Sequence, residues 1–372
     1  MADKESQPTT YRSTGVDYDA IDPFKRLAQL NARETSLNLK QLGMRVVESS
    51  RGESAIVWDR GDHYAAFVIE GLGTKNLVAD ATRKITGRTY YDQIAQDTVA
   101  MIINDLIVVG AEPEMINMYA GSRTSEWFED LERAEDLLIG RKKACDLAGA
   151  TWGGEESPTL KGIIVPKTGE ILGAATGIIK PKTRLTLGDK LREHDRILLV
   201  ESSGIHVNGL TLARMIADDL LEGYATELRD GSTYGEALLT PTHIYANLVR
   251  DLFEQGIDIH YMVNITGHGW RKIMRATQDF TYIIKKIPDA HRVFEFIQDH
   301  SGNNDKEMYG NFNMGAGFVI FLPERDIAKA IEVARSNHSM HALDAGYVQE
   351  GEKQVIIQPK NLIYSGESLK VR

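Results

Sequence analysis

In the second half of this chain, short apolar runs suited to strands alternate with stretches whose apolar residues recur every three or four positions. That alternation confines the fold to α/β layers, because each element buries one face and must pack it against the other kind. Strand-like runs fall at 196–201, 257–263, 280–284 and 315–321, and helix-like runs at 209–221, 243–253, 270–276, 291–300 and 326–336, with short strands to the end. In the first half, 64–69 reads as a buried strand closed by a turn at Gly71 and Gly73. Ile94, Val99, Ile102, Ile103 and Leu106 predict an amphipathic helix over 91–109. A second helix is expected over 133–147, stopped by Gly149 and carrying the only cysteine, Cys145, as a packed core thiol. The run 171–179 reads as a strand whose glycines and alanines let another element approach closely.

The length of 372 residues suits two domains with full-sized cores. The polar, proline-led stretch that starts at Pro181 marks the expected boundary, giving a flexible start over 1–14, an N-terminal domain over 15–180 and a C-terminal domain over 181–372. With 43 basic and 53 acidic side chains the net charge is −10, which repels a phosphate polymer and disfavours nucleic-acid binding. No apolar run approaches the roughly 20 residues of a membrane-spanning helix, and the start is polar, so no membrane association and a cytoplasmic location are expected.

Five segments combine glycine with polar or acidic residues where strands end or helices begin, the places where free backbone N–H groups can meet a ligand. Glu70-Gly-Leu-Gly-Thr-Lys75 offers two flexible glycines, a cation and a carboxylate, without the spacing of a Walker loop; a plain tight turn is the competing reading. Asn104-Asp105 lies in the apolar helix, where a carboxylate persists only if paired, hydrogen-bonded or bound to a cation; Asp97, two turns earlier, projects on nearly the same face. A Mg²⁺ role and an exposed acidic stripe are both open. Gly153-Gly-Glu155-Glu156 reads as a flexible acidic connection able to hold Mg²⁺ or simply to face solvent. Ser202-Ser-Gly-Ile-His206-Val-Asn-Gly209 joins a strand to a helix start suited to an anion, with His206 as cation, acid/base or cap. Asn264-Ile-Thr-Gly-His268-Gly repeats that arrangement, and Asn313-Met-Gly-Ala-Gly317 opens a further strand.

The order of these segments resembles the aminoimidazole ribonucleotide synthetase family. The resemblance starts at Gly15-Val-Asp-Tyr-Asp-Ala and runs through Gly71-x-Gly-Thr-Lys75, Val99-Ala-Met-x-x-Asn-Asp-Leu-x-Val, Gly110-Ala-Glu-Pro and Gly153-Gly-Glu. It continues through the Ser202–Gly209 segment, Leu239-Thr-Pro-Thr-x-Ile-Tyr245, Ile265-Thr-Gly-x-Gly and Phe312-Asn-Met-Gly-x-Gly. It implies an N-terminal α/β domain that binds ATP and dimerises through its sheet, a C-terminal α/β domain, and a ribonucleotide phosphate held between them. The implied reaction is ATP-dependent closure of the imidazole ring of formylglycinamidine ribonucleotide. On that basis Glu70, Asp97, Asp105 and Glu155 would hold Mg²⁺. Gly71, Gly73, Thr74, Lys75 and Asn104 would contact ATP, and Ser202, Ser203, Gly204, His206, Asn208 and Gly209 the substrate. His206 and Lys75 are the candidates for a catalytic role.

Where the family has Thr-Asp, this chain has Ile69-Glu70; a family histidine is Asn264 and a family glycine is His268. After Gly153-Gly-Glu155 a second acidic position is lost and Lys161 gained. Two other readings therefore stand beside the cyclo-ligase: a superfamily paralogue with another ATP-dependent substrate, and a nucleotide-binding protein without turnover.

Overall fold

The computed structural model describes Gly15 and residues 18–369. The start expected to be loose over 1–14 lies outside them, as do Val16 and Asp17 of the first family motif. The chain opens with helices α1 (Tyr18–Glu34) and α2 (Leu37–Lys40), then strands β1 (Arg45–Val46), β2 (Ile56–Asp59) and β3 (Tyr64–Gly71). Helices α3 (Lys75–Thr86) and α4 (Tyr91–Ile107), strand β4 (Glu112–Ser122), helix α5 (Leu131–Ala148) and strands β5 (Thr151–Glu156) and β6 (Gly169–Ile179) follow. The six strands form one sheet in the order β1-β2-β3-β6-β4-β5, antiparallel except at β4–β5.

The inner face of this sheet carries α4. Ala66 and Val68 of β3 are buried while Phe67 and Ile69 between them are exposed, the period of two expected of a strand covered on one side. Helix α4 is enclosed nearly all round, with the polar Asp97, Thr98, Asn104 and Asp105 buried among its apolar residues. Gly173 and Gly177 of β6 lie beneath it: a Cβ on Gly173 would stand 2.6 Å from Asn117 O and 2.8 Å from Ile102, and one on Gly177 2.6 Å from Glu112 O and 3.0 Å from Leu106. The close approach read from the sequence is thus made by α4 together with the neighbouring strand β4. The opposite face is open, with Phe67, Ile69 and Met115 exposed.

The second half contains β7 (Arg196–Glu201), α6 (Leu210–Asp219), α7 (Tyr234–Leu238), α8 (Ala246–Glu254), β8 (Tyr261–Asn264) and β9 (Phe280–Ile284). Then come α9 (Arg292–Ser301), α10 (Asp305–Asn311), β10 (Ala316–Leu322), α11 (Glu324–His338), β11 (Ala342–Glu350), β12 (Gln354–Ile357) and β13 (Leu362–Ser365). The seven strands are ordered β13-β12-β9-β11-β7-β10-β8, parallel only at β12–β9. The segment expected as a helix over 270–276 is a 3₁₀ turn, Gly269–Met274. The acidic connection around Glu155 is strand β5, paired in parallel with β4 across a register shift at Ile116/Asn117. Among the described residues no helix is long and apolar enough to cross a membrane.

Candidate functional site

A cavity of about 470 Å³ opens where β3 and α4 of the first half meet the loops after β7 and β8 of the second, with α1 along its rim. The alternation of β3 that turns Ile69 outward turns Glu70 toward the helix side, where it faces Asp105 of α4. The Nδ2 of Asn264 donates to Asp105 Oδ1 at 2.7 Å. The backbone oxygen of the same Asn264 accepts from Lys272 Nζ at 3.3 Å, and Lys272 also donates to Thr266 Oγ1. One asparagine therefore ties a carboxylate from the first half to an ammonium from the second.

Burial raises Glu70, and the neighbouring Asp105 adds to it, so that its carboxyl is pushed up to about 8. Burial pulls Lys272 down to about 8. His268 is lowered to about 3 by burial and by Arg271 and Lys272, so its imidazole is neutral. It sits at φ +68°, a conformation that suits the family's glycine at that position. Arg275 is committed to Gly52 O at 2.8 Å and Ser54 Oγ at 2.9 Å, a strap between the two halves. Asn208 also lines the cavity, and its Nδ2 is enclosed with no hydrogen-bond partner among the described residues.

Of the four carboxylates expected to share Mg²⁺, the structure brings together only Glu70 and Asp105. Eight residues along a helix is about 12 Å of rise and about 80° of turn, enough to separate Asp97 from Asp105. Asp97 pairs with Lys75 at 2.7 Å, both side chains fully enclosed, and accepts from Thr242 N at 2.8 Å and from its hydroxyl at 2.5 Å. Glu155 lies in the same cross-strand row as Glu70, through Gly173 and Met118, but three strand spacings or about 14 Å away. Its partner is the buried Arg141. Among the described residues no group of three or more histidine, cysteine, aspartate or glutamate side chains is arranged to hold a metal.

Lys75, expected at the ATP phosphates, instead donates to Thr240 O at 2.9 Å beside Asp97. Asn104, expected to contact ATP, donates to His243 O at 2.8 Å and accepts from Tyr245 N at 3.0 Å. Gln96 donates to Thr242 O at 2.9 Å. Segment 240–245 is thus docked along α4 by Gln96, Asp97 and, two turns on, Asn104, which is where much of the Leu239–Tyr245 motif goes. Gly71, Gly73 and Thr74 form the surface turn just after Glu70, with Gly73 exposed at φ +70°.

Most of the 202–209 loop also turns inward. The Ser202 hydroxyl donates to Asn313 Oδ1 and Asn313 Nδ2 to Gly204 O, both at 2.9 Å, while the Ser203 hydroxyl donates to Pro241 O at 2.6 Å. His206 Nε2 accepts from Ser203 N at 3.2 Å, and burial holds its pKa well below the usual value. It is a neutral ring bracing its own loop, packed with Tyr245 over Gly317. Gly209 sits at φ +85°, where a Cβ would stand 2.0 Å from the Phe312 ring. Cys145 is a buried thiol raised by burial to about 11, as expected of a core residue. Sequence reasoning missed Lys25, Glu53, Lys272 and Arg275 in the cavity wall. The available signal for Lys272 was the basic pair Arg271-Lys272 set between Trp270 and Ile273-Met274.

The family model for the AIR synthase related protein N-terminal domain matches residues 52–178, and that for the C-terminal domain matches residues 192–358. A phosphoribosylformylglycinamidine cyclo-ligase of Methanococcus maripaludis is 30% identical over 342 residues, 92% of each chain. In fold, the chain is similar to a component of a HypE–HypF complex, with TM-score 0.60 and 15% identity over 84% of this chain and 92% of that one. It is also similar to the hydrogenase maturation protein HypE in complex with ATP, with TM-score 0.56 and 18% identity over 75% and 81%.

Proposed function

Since the chain belongs to the AIR synthase-related family, we propose that it is an ATP-dependent cyclo-ligase of purine synthesis, converting formylglycinamidine ribonucleotide to aminoimidazole ribonucleotide in the cytoplasm. The observation that carries the reading is the interdomain cavity, which sets two crowded carboxylates opposite a buried ammonium and an unpartnered amide. Such a site suits a phosphorylated ligand together with a cation.

The γ-phosphoryl group of ATP passes to the formyl oxygen, the amidine nitrogen attacks the same carbon, and inorganic phosphate leaves as the ring closes. The residues here position and neutralise. The surface turn Gly71–Leu72–Gly73–Thr74 receives the ATP phosphates, and Asn208 orients the ribonucleotide. Glu70 and Asp105 fit Mg²⁺, because two carboxylates whose proximity in a buried place retains a proton at neutral pH gain from a cation in its stead. Bound there, Mg²⁺ supplies charge neutralisation for phosphoryl oxygens. The open face of the N-terminal sheet, with Phe67, Ile69 and Met115 exposed, supports a homodimer that buries it against a second copy.

Incubation of the purified protein with ATP, Mg²⁺ and formylglycinamidine ribonucleotide should yield aminoimidazole ribonucleotide. Binding of ATP·Mg without any product above background overturns the cyclo-ligase in favour of a nucleotide-binding protein. The sealing of Lys75 and the pairing of Glu155 with Arg141 favour that second reading.

A further inference from the structure

We infer that the Lys272 ammonium is the cation that contacts a phosphoryl oxygen in the interdomain cavity, the part that the Gly-Thr-Lys75 pattern assigns to Lys75. The inference rests on the proposed function and names the residue that discriminates phosphorylated ligands there.

Five cations stand in or near this region, and four are otherwise placed; Arg271 donates to the carbonyl oxygens of His268, Gly310 and Ser368. Lys75 is fully enclosed and in contact with Asp97. Arg275 is tied to Gly52 and Ser54 and ion-paired with Glu53. Lys25 is exposed on α1 at the rim. Lys272 differs from all of them. It is only 7% exposed yet lines the cavity. Its ammonium donates to two neutral oxygens, Thr266 Oγ1 and Asn264 O, and no carboxylate among the described residues lies within 4 Å.

An ammonium has three donors, so one remains for the cavity. A buried charge without a contacting counter-charge is costly, and a ligand oxyanion removes that cost. Glu70 and Asp105 feel and oppose the same charge from across the space, which favours the ammonium without quenching it. Asn208 Nδ2, enclosed and unpartnered, is a second donor into the same cavity. The third Lys272 donor and the Asn208 amide form the donor end of one cavity that Glu70 and Asp105 also line. The donor end takes a phosphoryl oxygen, whether from the nucleotide or from a ribonucleotide 5′-phosphate.

Calorimetry on the full chain distinguishes the two sources. A non-hydrolysable ATP analogue with Mg²⁺ and, separately, ribose 5-phosphate are titrated into wild type, Lys272→Met and Lys272→Arg, with adenosine as the uncharged probe. Loss of a charge-assisted hydrogen bond should weaken one of the phosphorylated probes about 10- to 100-fold in Lys272→Met, leave adenosine unchanged, and be partly restored in Lys272→Arg. The weakened probe identifies the source. Affinities for both phosphorylated probes within twofold of wild type overturn the inference, as does an equal loss for adenosine, which marks a structural role. If wild type binds neither phosphorylated probe, the proposed function fails with it.

Discussion

Asp97 and Asp105 stand on one helix and both are buried, yet they live in opposite electrostatic circumstances. Asp97 has a lysine in contact, two hydrogen bonds from Thr242, and no room around it. Asp105 has one amide from Asn264, a second carboxylate facing it, and a cavity. A charge whose partners the fold itself supplies holds the fold together. A charge left short of partners beside open space is available to a ligand.

The comparison breaks most severely if the Lys75–Asp97 contact is dispensable. Lys75→Met leaves a buried carboxylate unpaired and should cost about 3–5 kcal/mol in urea unfolding, with most of it recovered in the Lys75→Met/Asp97→Leu double variant. A single variant within 1 kcal/mol of wild type, roughly the spread of ordinary surface changes, would contradict it.

Glu70 tests the other side. A carboxyl at about 8 in the folded protein and near 4.5 when unfolded keeps its proton longer in the folded state, so metal-free protein should lose stability as pH rises through that window. Glu70→Gln should flatten the decline and be more stable than wild type at pH 8 by on the order of 4 kcal/mol. Parallel pH profiles for the two proteins, measured with chelator present, would show that Glu70 is not under strain. The smallest effect sharpens the contrast: Asn104→Ala strands His243 O and Tyr245 N, costing about 1–2 kcal/mol of stability. Nucleotide affinity should not move with it; a parallel loss would return Asn104 to the binding site.

Periodicity made the strands around 64–69 and 196–201 and the long helix legible, because burial on one face or all round writes itself into the apolar pattern. Spacing along the chain served the site less well. Asp97, Asn104 and Lys75 carry the residue types of a nucleotide site, but their partners lie about 140 to 165 residues away in segment 240–245. No local pattern marks such a contact. The family resemblance groups Glu155 with Glu70, although the strand order puts three spacings between them. Lys272 was missed because the basic pair Arg271-Lys272 reads as a solvated surface turn until the other wall of the cavity is in view.

The two glycines of β6 beneath α4 act on the cavity without entering it. Side chains there would act as shims, lifting the helix from the sheet and carrying Asp105 out of range of Glu70. The spacing of the Glu70–Asp105 pair therefore depends on two missing methyl groups beneath the helix, outside the cavity itself.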